Sequence, residues 1–390
     1  MKIISLFANA GIAEAYLESI GFHVVLANEI DEKRASVYQQ IYPNSKMICG
    51  DILDEKVFES LVQNAKESDV DILMATPPCQ GMSPAGRREK YDKRNDLIIP
   101  TIEMISRLKP KYAMIENVPE QKKTTIFIGN QEQAIPDFIS STLRDDYVIR
   151  SAIINMRDYG VPQQRERMIY LLTRRDQSNR WGFPQKDKKV FTLRDAIGNV
   201  PDLDPICEDM PKDLYDKYFP NFQQKLEIAQ KVSYWHRPTK HNSRQVFAML
   251  HTPTGKSAFS NTKHEYKPLK PNGDVSQAFD NAYKRQLWDI PAYTITTTSG
   301  LISSNNNVHP GSFVGHDDDG SEIYSNPRVL SIYELFKVMT IPDDWNLPKD
   351  TSDTMARTII GEGVPPLFVK KLFEQIGNEK DMDIEFFWGV

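Results

Sequence analysis

Cysteines stand at positions 49, 79 and 207, and the setting of Cys79 suits a nucleophile. It lies in Ala75-Thr76-Pro77-Pro78-Cys79-Gln80-Gly81-Met82-Ser83, directly after the apolar run Val70–Ala75. Two prolines stiffen the chain, so a thiol behind them projects from a fixed position. A lone cysteine is more often a small buried hydrophobe. The rigid mount at a strand end favours a nucleophile here. The segment Gly86–Arg94 follows, with Arg87, Arg88, Lys90, Lys93 and Arg94 against Glu89 and Asp92, a basic loop suited to closing over a polyanion. Glu116-Asn117-Val118 ends a later apolar run, and Gln163-Gln164-Arg165-Glu166-Arg167 comes after it. Arginines at i and i+2 of an extended segment are expected to share one face.

A second set of residues suits a nucleoside. The turn Ser5-Leu6-Phe7-Ala8-Asn9-Ala10-Gly11 sits between a strand-like and a helix-like segment, where small residues let a ligand approach the backbone. Glu29 follows the next strand-like run, about where a ribose diol is commonly held. Asp51 follows the one after. Each acid alone equally suits a helix N-cap, and the turn alone equally suits an ordinary connection.

The elements that must position these residues alternate. Strands are expected at Lys2–Phe7, Val24–Ala27, Lys46–Ile48, Val70–Ala75 and Tyr112–Ile115. Helices are expected at Gly11–Ile20, Ala35–Ile41, Lys56–Ala65, Leu97–Leu108 and near Gln133–Leu143. Val148–Asn155 and Met168–Thr173 read as a late antiparallel pair. This predicts an α/β fold, a mostly parallel sheet with helices on both faces. From about Arg175 the chain turns rich in Pro, Asn, Ser, Thr and aromatics, and helical pattern returns at Ser331–Met339 and Pro365–Ile376. The expected organisation is a first domain over 1–180, a loop-rich module over 181–325, and a segment over 326–390 returning to the first domain.

Bulk properties narrow the class. Hydrophobic residues make up 40% and charged residues 26% of 390, as in a globular protein. No run approaches the ~20 apolar residues of a membrane span, and the start lacks the h-region of a secretory signal. Three dispersed cysteines argue against disulfides and for a reducing cytoplasm, and the absence of a CxxC pair argues against a structural zinc site. The net charge is −5, but residues 221–290 hold eleven Lys/Arg against five Asp/Glu. Such a stretch forms either a phosphate-facing surface or merely a solvated face.

Taken in order, these motifs resemble the cytosine-C5 DNA methyltransferase family of bacterial restriction–modification systems. The resemblance rests on Pro77-Pro78-Cys79-Gln80, Glu116-Asn117-Val118 and Gln163-x-Arg165-x-Arg167. It continues through Arg328-Val329-Leu330-Ser331 with Glu334, Pro342-Asp343-Asp344-Trp345, and Gly361-Glu362-Gly363-Val364-Pro365-Pro366. It covers residues 3–175 and 290–376, and the block between occupies the place of the family's target-recognition domain. Two positions depart from the family: Asn9 stands where Gly is usual, and Glu362 where Asn is usual. Asn tolerates left-handed backbone, so the turn is expected to survive.

The resemblance implies a Rossmann-like sheet that binds S-adenosylmethionine, with no metal. It implies addition of Cys79 to C6 of cytosine, with Glu116 at N3 and the exocyclic amine, Arg165 at O2, and Arg167 orienting the loop or the acid. The role of Glu116 leads us to expect a pKa raised by partial desolvation. Phe7, Ala8 and Gly11 would hold the methionine side of the cofactor, Glu29 the ribose, and Ile30, Asp51 and Ile52 the adenine. Pro78, Leu97, Glu362 and Gly363 would line or close that pocket. Base flipping is implied, with Gln80, Ser83, Arg87 and Arg88 holding the opened duplex. Arg237, Lys240, Arg244 and Lys256 are candidates for backbone contacts or base readout, and Thr296 and Thr297 for DNA contact. The implied protein is a monomer in the bacterial cytoplasm, acting on double-stranded DNA beside a cognate endonuclease. The alternatives are a tRNA cytosine-C5 methyltransferase, which is expected to carry a smaller recognition insert; an amino-methylating enzyme, which Thr76 and Cys79 argue against; and an inactive DNA-binding subunit.

Overall fold

The computed structural model describes residues 1–78, 93–277, 279 and 281–376. They fall into two compact units. The first comprises Met1–Asn155, Glu166–Lys186 and the chain from Pro366 onward; the second comprises Met156–Arg165 and Asp187–Pro365. These boundaries differ from the expected ones, because residues 326–365 pack with the second unit and 156–165 join it.

In chain order the first unit runs β1 (Lys2–Leu6), β2 (His23–Glu29), α1 (Glu32–Ile41), β3 (Lys46–Cys49), α2 (Glu55–Glu67), β4 (Ile72–Ala75), α3 (Ile98–Leu108), β5 (Tyr112–Asn117), β6 (Thr125–Ile128), β7 (Gln131–Ala134), α4 (Ile135–Leu143), β8 (Tyr147–Asn155) and β9 (Glu166–Arg174). The strand order is β3-β2-β1-β4-β5-β9-β8. Strands β1 to β5 pair in parallel, and β9 runs antiparallel between β5 and β8. The order reverses between β1 and β4, where open α/β sheets present a ligand crevice beyond their strand ends.

Local chemistry explains these elements. Asp31 and Asp54 cap α1 and α2, each accepting two backbone N–H bonds in the first turn. Apolar faces of α2, α3 and α4, through Phe58, Leu61, Ile102, Ile105 and Ile139, pack with Ile4, Leu73, Ala113 and Ile115 of the sheet. An aromatic cluster closes another part of the unit. The Phe373 ring lies 5.2 Å from that of Phe22 and 5.1 Å from that of Trp181. Trp181 Nε1 donates to the Leu372 carbonyl at 2.8 Å, fixing α11 (Pro366–Phe373).

The regular helix expected over Gly11–Ile20 is absent. Successive i→i−3 bonds, such as Glu14 N–H to Gly11 O and Ala15 N–H to Ile12 O, wind it into a tighter spiral that ends in a 3₁₀ turn at Glu18–Ile20. The Tyr42 hydroxyl donates to the Gly11 carbonyl at 2.6 Å, competing for an acceptor that an α-helix would use. The β6–β7 hairpin also lies outside the sequence reading, whose helix over Gln133–Leu143 starts two residues later as α4.

The second unit carries α5 (Leu193–Ile197), α6 (Lys212–Tyr218), α7 (Phe222–Val232), α8 (Ser243–Leu250), β10 (Phe313–His316), β11 (Glu322–Tyr324), α9 (Ile332–Val338) and α10 (Asp353–Glu362). Its interior is organised by buried polar groups as well as apolar ones. Arg328 donates to both Glu334 oxygens at 2.7 and 2.8 Å, and Ser331 caps α9 in a reciprocal box with Glu334. Arg328 Nε also donates to the Leu203 carbonyl at 2.6 Å, and His236 Nδ1 lies 2.9 Å from Ser331 Oγ, ties that bind 328–338 into this unit. Among the described residues no helix is long and apolar enough to cross a membrane.

Candidate active site

Register brings the chemistry-bearing residues of the first unit to one sheet edge. Leu6 pairs with Asn28 and with Ala75, Asn28 with Ile48, and Ala75 with Ile115. At or just beyond the ends of these strands lie Phe7–Gly11, Glu29–Asp31, Gly50–Leu53, Thr76–Pro78 and Glu116–Asn117.

The turn after β1 is shaped by left-handed backbone at alternate residues: φ is 58° at Phe7, 52° at Asn9 and 78° at Gly11. The conformation expected of Asn9 is therefore present. A bulky residue such as Phe7 seldom adopts it, so the surroundings must hold it there. Thr76 Oγ1 donates to the Phe7 carbonyl at 3.2 Å, and Ala8 N–H to the Asn28 carbonyl at 2.9 Å. Glu29 is buried, and its two oxygens accept the N–H groups of Asn9 at 2.9 Å and Asp31 at 3.0 Å. It is a brace for the turn, while helix capping falls to Asp31. Asp51 accepts the Leu53 N–H at 2.9 Å.

Apolar surface adjoins these carboxylates. Ile30 is 62% and Leu53 59% exposed. Leu53 is absent from the sequence reading, which named its neighbour Ile52. The Ile52 side chain is buried in the core. Ala8 is half-buried, as are Pro78 and Leu97, and Leu97 also packs on the core.

Cys79, Gln80, Ser83, Arg87 and Arg88 lie outside the described residues. The mount before them is described: Asn117 Nδ2 donates to the Pro77 carbonyl at 3.1 Å, tying the end of β5 to the chain after β4. Beside it, Arg167 Nε lies 2.8 Å from Glu116 Oε1, both side chains largely buried. The other two cysteines are poor nucleophiles. Burial, with Asp209 alongside, pushes the Cys207 thiol up to about 12. Partial burial and the acids Glu32, Glu29 and Asp31 raise that of Cys49.

The expected shared face of Arg165 and Arg167 is not formed. Arg165 precedes β9, so the strand period does not extend to it. It is buried in the second unit and donates to the carbonyls of Ile295 at 2.9 Å, Gly361 at 3.0 Å and Gly363 at 2.9 Å. Gln163 supports the same place, its Oε1 accepting the Ile295 N–H. Gly361 has no room for a side chain, since a Cβ would lie 2.3 Å from the Thr296 carbonyl carbon. Glu362 and Gly363 thus sit on backbone clamped to the threonine run. Thr296 is half-buried and bonded to Thr298 and Asn305, whereas Thr297 is exposed.

The basic stretch divides by role. Arg285 is fully buried, donating to the carbonyls of Met249, His309 and Asn326, and burial lowers its pKa to about 9. Arg237 pairs with Asp353 and lies over the rings of Tyr234 and Trp235. Lys240 is exposed and pairs with Glu208 at 2.5 Å. Arg244 and Lys256 are exposed, with no acidic partner among the described residues.

The family described as C-5 cytosine-specific DNA methylase matches residues 1–378. The chain is 39% identical over 381 residues to the Type II methyltransferase M1.HgaI of Avibacterium volantium, covering 96% of this chain and 98% of the relative. It is 30% identical over 387 residues to the Type II methyltransferase M.XorII of Xanthomonas oryzae pv. oryzae, covering 96% and 84%. Among solved structures, a DNA modification methyltransferase encoded within an E. coli prophage superposes with a TM-score of 0.65 at 19% identity, covering 96% and 98%, a likeness of fold. With a family match spanning both units, the chain belongs to the C-5 cytosine-specific DNA methylases and is a DNA (cytosine-5-)-methyltransferase.

Proposed function

We propose that this enzyme transfers a methyl group from S-adenosylmethionine to C5 of cytosine within a specific double-stranded DNA sequence. Covalent catalysis by Cys79 on a flipped base carries the reaction, and the product protects DNA from a cognate restriction endonuclease. The Glu116–Arg167 pair beside the Pro77–Asn117 tie carries this reading, since it sets an oriented carboxylate next to the mount of Cys79.

The turn suits the cofactor, because it combines open left-handed backbone, a buried carboxylate at Glu29 and exposed apolar Ile30 and Leu53. Phe7, Ala8 and Gly11 would meet the methionine part, Glu29 the ribose, and Ile30, Leu53, Asp51 and the Ile52 backbone the adenine. Bound there, S-adenosylmethionine supplies an electrophilic methyl on a sulfonium centre. The remaining work belongs to the chain. Cys79 thiolate adds to C6 of the base, and the ring electrons move towards C5. Glu116 bonds N3 and the exocyclic amine and supports protonation of the ring as charge shifts. Arg167 holds Glu116 and offers its guanidinium to O2. Once C5 carries the methyl group, a base removes the C5 proton, the C6–S bond breaks and Cys79 leaves as thiolate. The three carbonyls on Arg165 favour a positioning role for it over the O2 contact first expected. Arg244, Lys256 and Thr297 are the better-placed DNA contacts of the second unit, being exposed. The enzyme would act as a monomer on DNA in the bacterial cytoplasm.

The test is bisulfite sequencing of a plasmid after expression of wild type and Cys79→Ala in a methylation-free host. Wild type should protect cytosines within one short sequence, and Cys79→Ala should protect none. If neither protein marks DNA, the reading is wrong.

A further inference from the structure

Beside the turn Phe7–Gly11 lies a buried hydrogen-bond chain that the proposed chemistry does not use. Glu14 is 3% exposed and sits on the tight spiral leaving the turn, its N–H donating to the Gly11 carbonyl at 3.2 Å. The Tyr38 hydroxyl lies 2.5 Å from Glu14 Oε2 and 3.3 Å from Ser45 Oγ. Glu14 Oε1 has no hydrogen-bond partner among the described residues. The Tyr38 and Tyr42 rings are in contact at 4.9 Å, and the Tyr42 hydroxyl holds the Gly11 carbonyl. A Cβ on Gly11 would come within 2.2 Å of the Tyr42 ring and 3.0 Å of the Tyr38 ring. Tyr38 of α1 and Tyr42 just past its end therefore floor the turn, and Glu14 links them to it.

The groups facing Glu14 are Tyr38 from α1, with Tyr42 one helical turn on, Ser5 from β1 and Ser45 from the α1–β3 connection. From α11, Lys370 lies over the ring of Tyr16 on the same spiral, 5.6 Å away. No Lys, Arg or His among the described residues forms an ion pair with Glu14. A buried carboxylate without a counter-charge is favoured in its neutral form. Protonated, Glu14 donates to the Tyr38 oxygen and Tyr38 donates onward to Ser45. Ionised, it accepts the hydrogen bond of the Tyr38 O–H and leaves Ser45 without that donor. Burial pushes the Glu14 carboxyl up to about 7, despite the bonds from Ser5 and Tyr38 that lower it.

We infer that Glu14 is a positioning residue for cofactor binding: while protonated it holds the turn Phe7–Gly11 in the shape that accepts S-adenosylmethionine, and loss of the proton weakens binding. The mechanical route is short, because freeing an ionised Glu14 to reach water displaces Gly11, its hydrogen-bond partner. The inference rests on the turn being the cofactor site.

The test is calorimetric titration of the full-length wild type, Glu14→Gln and Tyr38→Phe with S-adenosylmethionine from pH 6 to 9, without DNA. Wild-type affinity should fall by up to roughly tenfold per pH unit above 7. Glu14→Gln, neutral throughout, should bind as tightly as wild type at pH 6 and lack that fall. The difference between the two profiles cancels titration of the ligand's own groups. Tyr38→Phe removes a bond that favours the ionised form, so its profile should break at higher pH. This second variant keeps the test open if Glu14→Gln does not fold. Parallel profiles for wild type and Glu14→Gln, or an unmoved break in Tyr38→Phe, would overturn the inference while leaving the cofactor reading intact. Absence of binding by wild type at every pH would overturn the cofactor reading and the inference with it.

Discussion

Arg167 reaches Glu116 one diagonal step across the β5–β9 ladder: Glu116 pairs in register with Ile169, and Arg167 lies two residues before it on the same face. Long side chains span such diagonals readily. Glu116→Gln keeps the shape but loses the acid, and should lower kcat by about 10²- to 10⁴-fold. Arg167→Lys keeps the charge but loses the planar fork, and should lower it by roughly tenfold or more. Incorporation of labelled methyl into DNA measures both. Retention of full activity by Glu116→Gln would remove the acid from the mechanism.

Arg165 and Arg285 solve one problem in one way, each gathering three backbone carbonyls in a buried setting. Arg165→Met or Arg285→Met would strand those acceptors, at a cost of about 3 kcal/mol or more. Urea unfolding should show it as an earlier midpoint. An unchanged midpoint in Arg165→Met would return that residue to the list of base contacts.

Acid should loosen the second unit at mild pH. Burial pushes His241 and His309 down to about 3 and lowers His236 as well. The unfolded chain takes up these protons near pH 6.5, where the folded one does not. Stability is therefore complete above 6.5 and is lost as pH falls towards 3, by up to ~1.4 kcal/mol per pH unit for each histidine. His309 Nδ1 accepts the Gly311 N–H at 3.0 Å, a role the Asn amide oxygen can fill. Urea midpoints between pH 7.5 and 5 should fall less steeply for His309→Asn than for wild type. Equal slopes would mean His309 contributes nothing to the effect.

DNA contacts in the basic stretch should separate by salt dependence. Arg244→Ala and Lys256→Ala should each weaken binding across sequences and reduce the salt slope by about one. Arg237→Ala should act mainly on stability, through lost packing on Tyr234 and Trp235. Fluorescence anisotropy at several salt concentrations measures the slopes. No change in slope for either exposed residue would place the DNA-binding face elsewhere.

Much of the first unit was legible because parallel strands are apolar along their length and each is followed by a turn or an acid. Asn9 could be read from its conformational tolerance alone, and Glu116 from its place at a strand end. Arg165 could not, because a motif fixes residue types without saying which carbonyls lie nearby. Its partners come from 130 to 198 residues away in the chain. Leu53 was hidden because exposure distinguishes it from Ile52 and composition does not. The second unit resisted for a different reason. Two of its helices are short, α5 having five residues and α6 seven, and buried polar networks such as Arg328–Glu334 share the interior with its apolar residues, a pattern that periodicity does not mark.

The division of the chain bears on any graft of the second unit. A graft bounded at 187 and 365 looks like a clean replacement, yet it leaves residues 156–165 behind. Those ten residues carry Gln163 and Arg165, which hold the backbone at Ile295, Gly361 and Gly363. A recombinant joined at those borders inherits a clamp shaped for a different backbone. Inheritance of a working second unit thus requires two pieces of one gene to travel together.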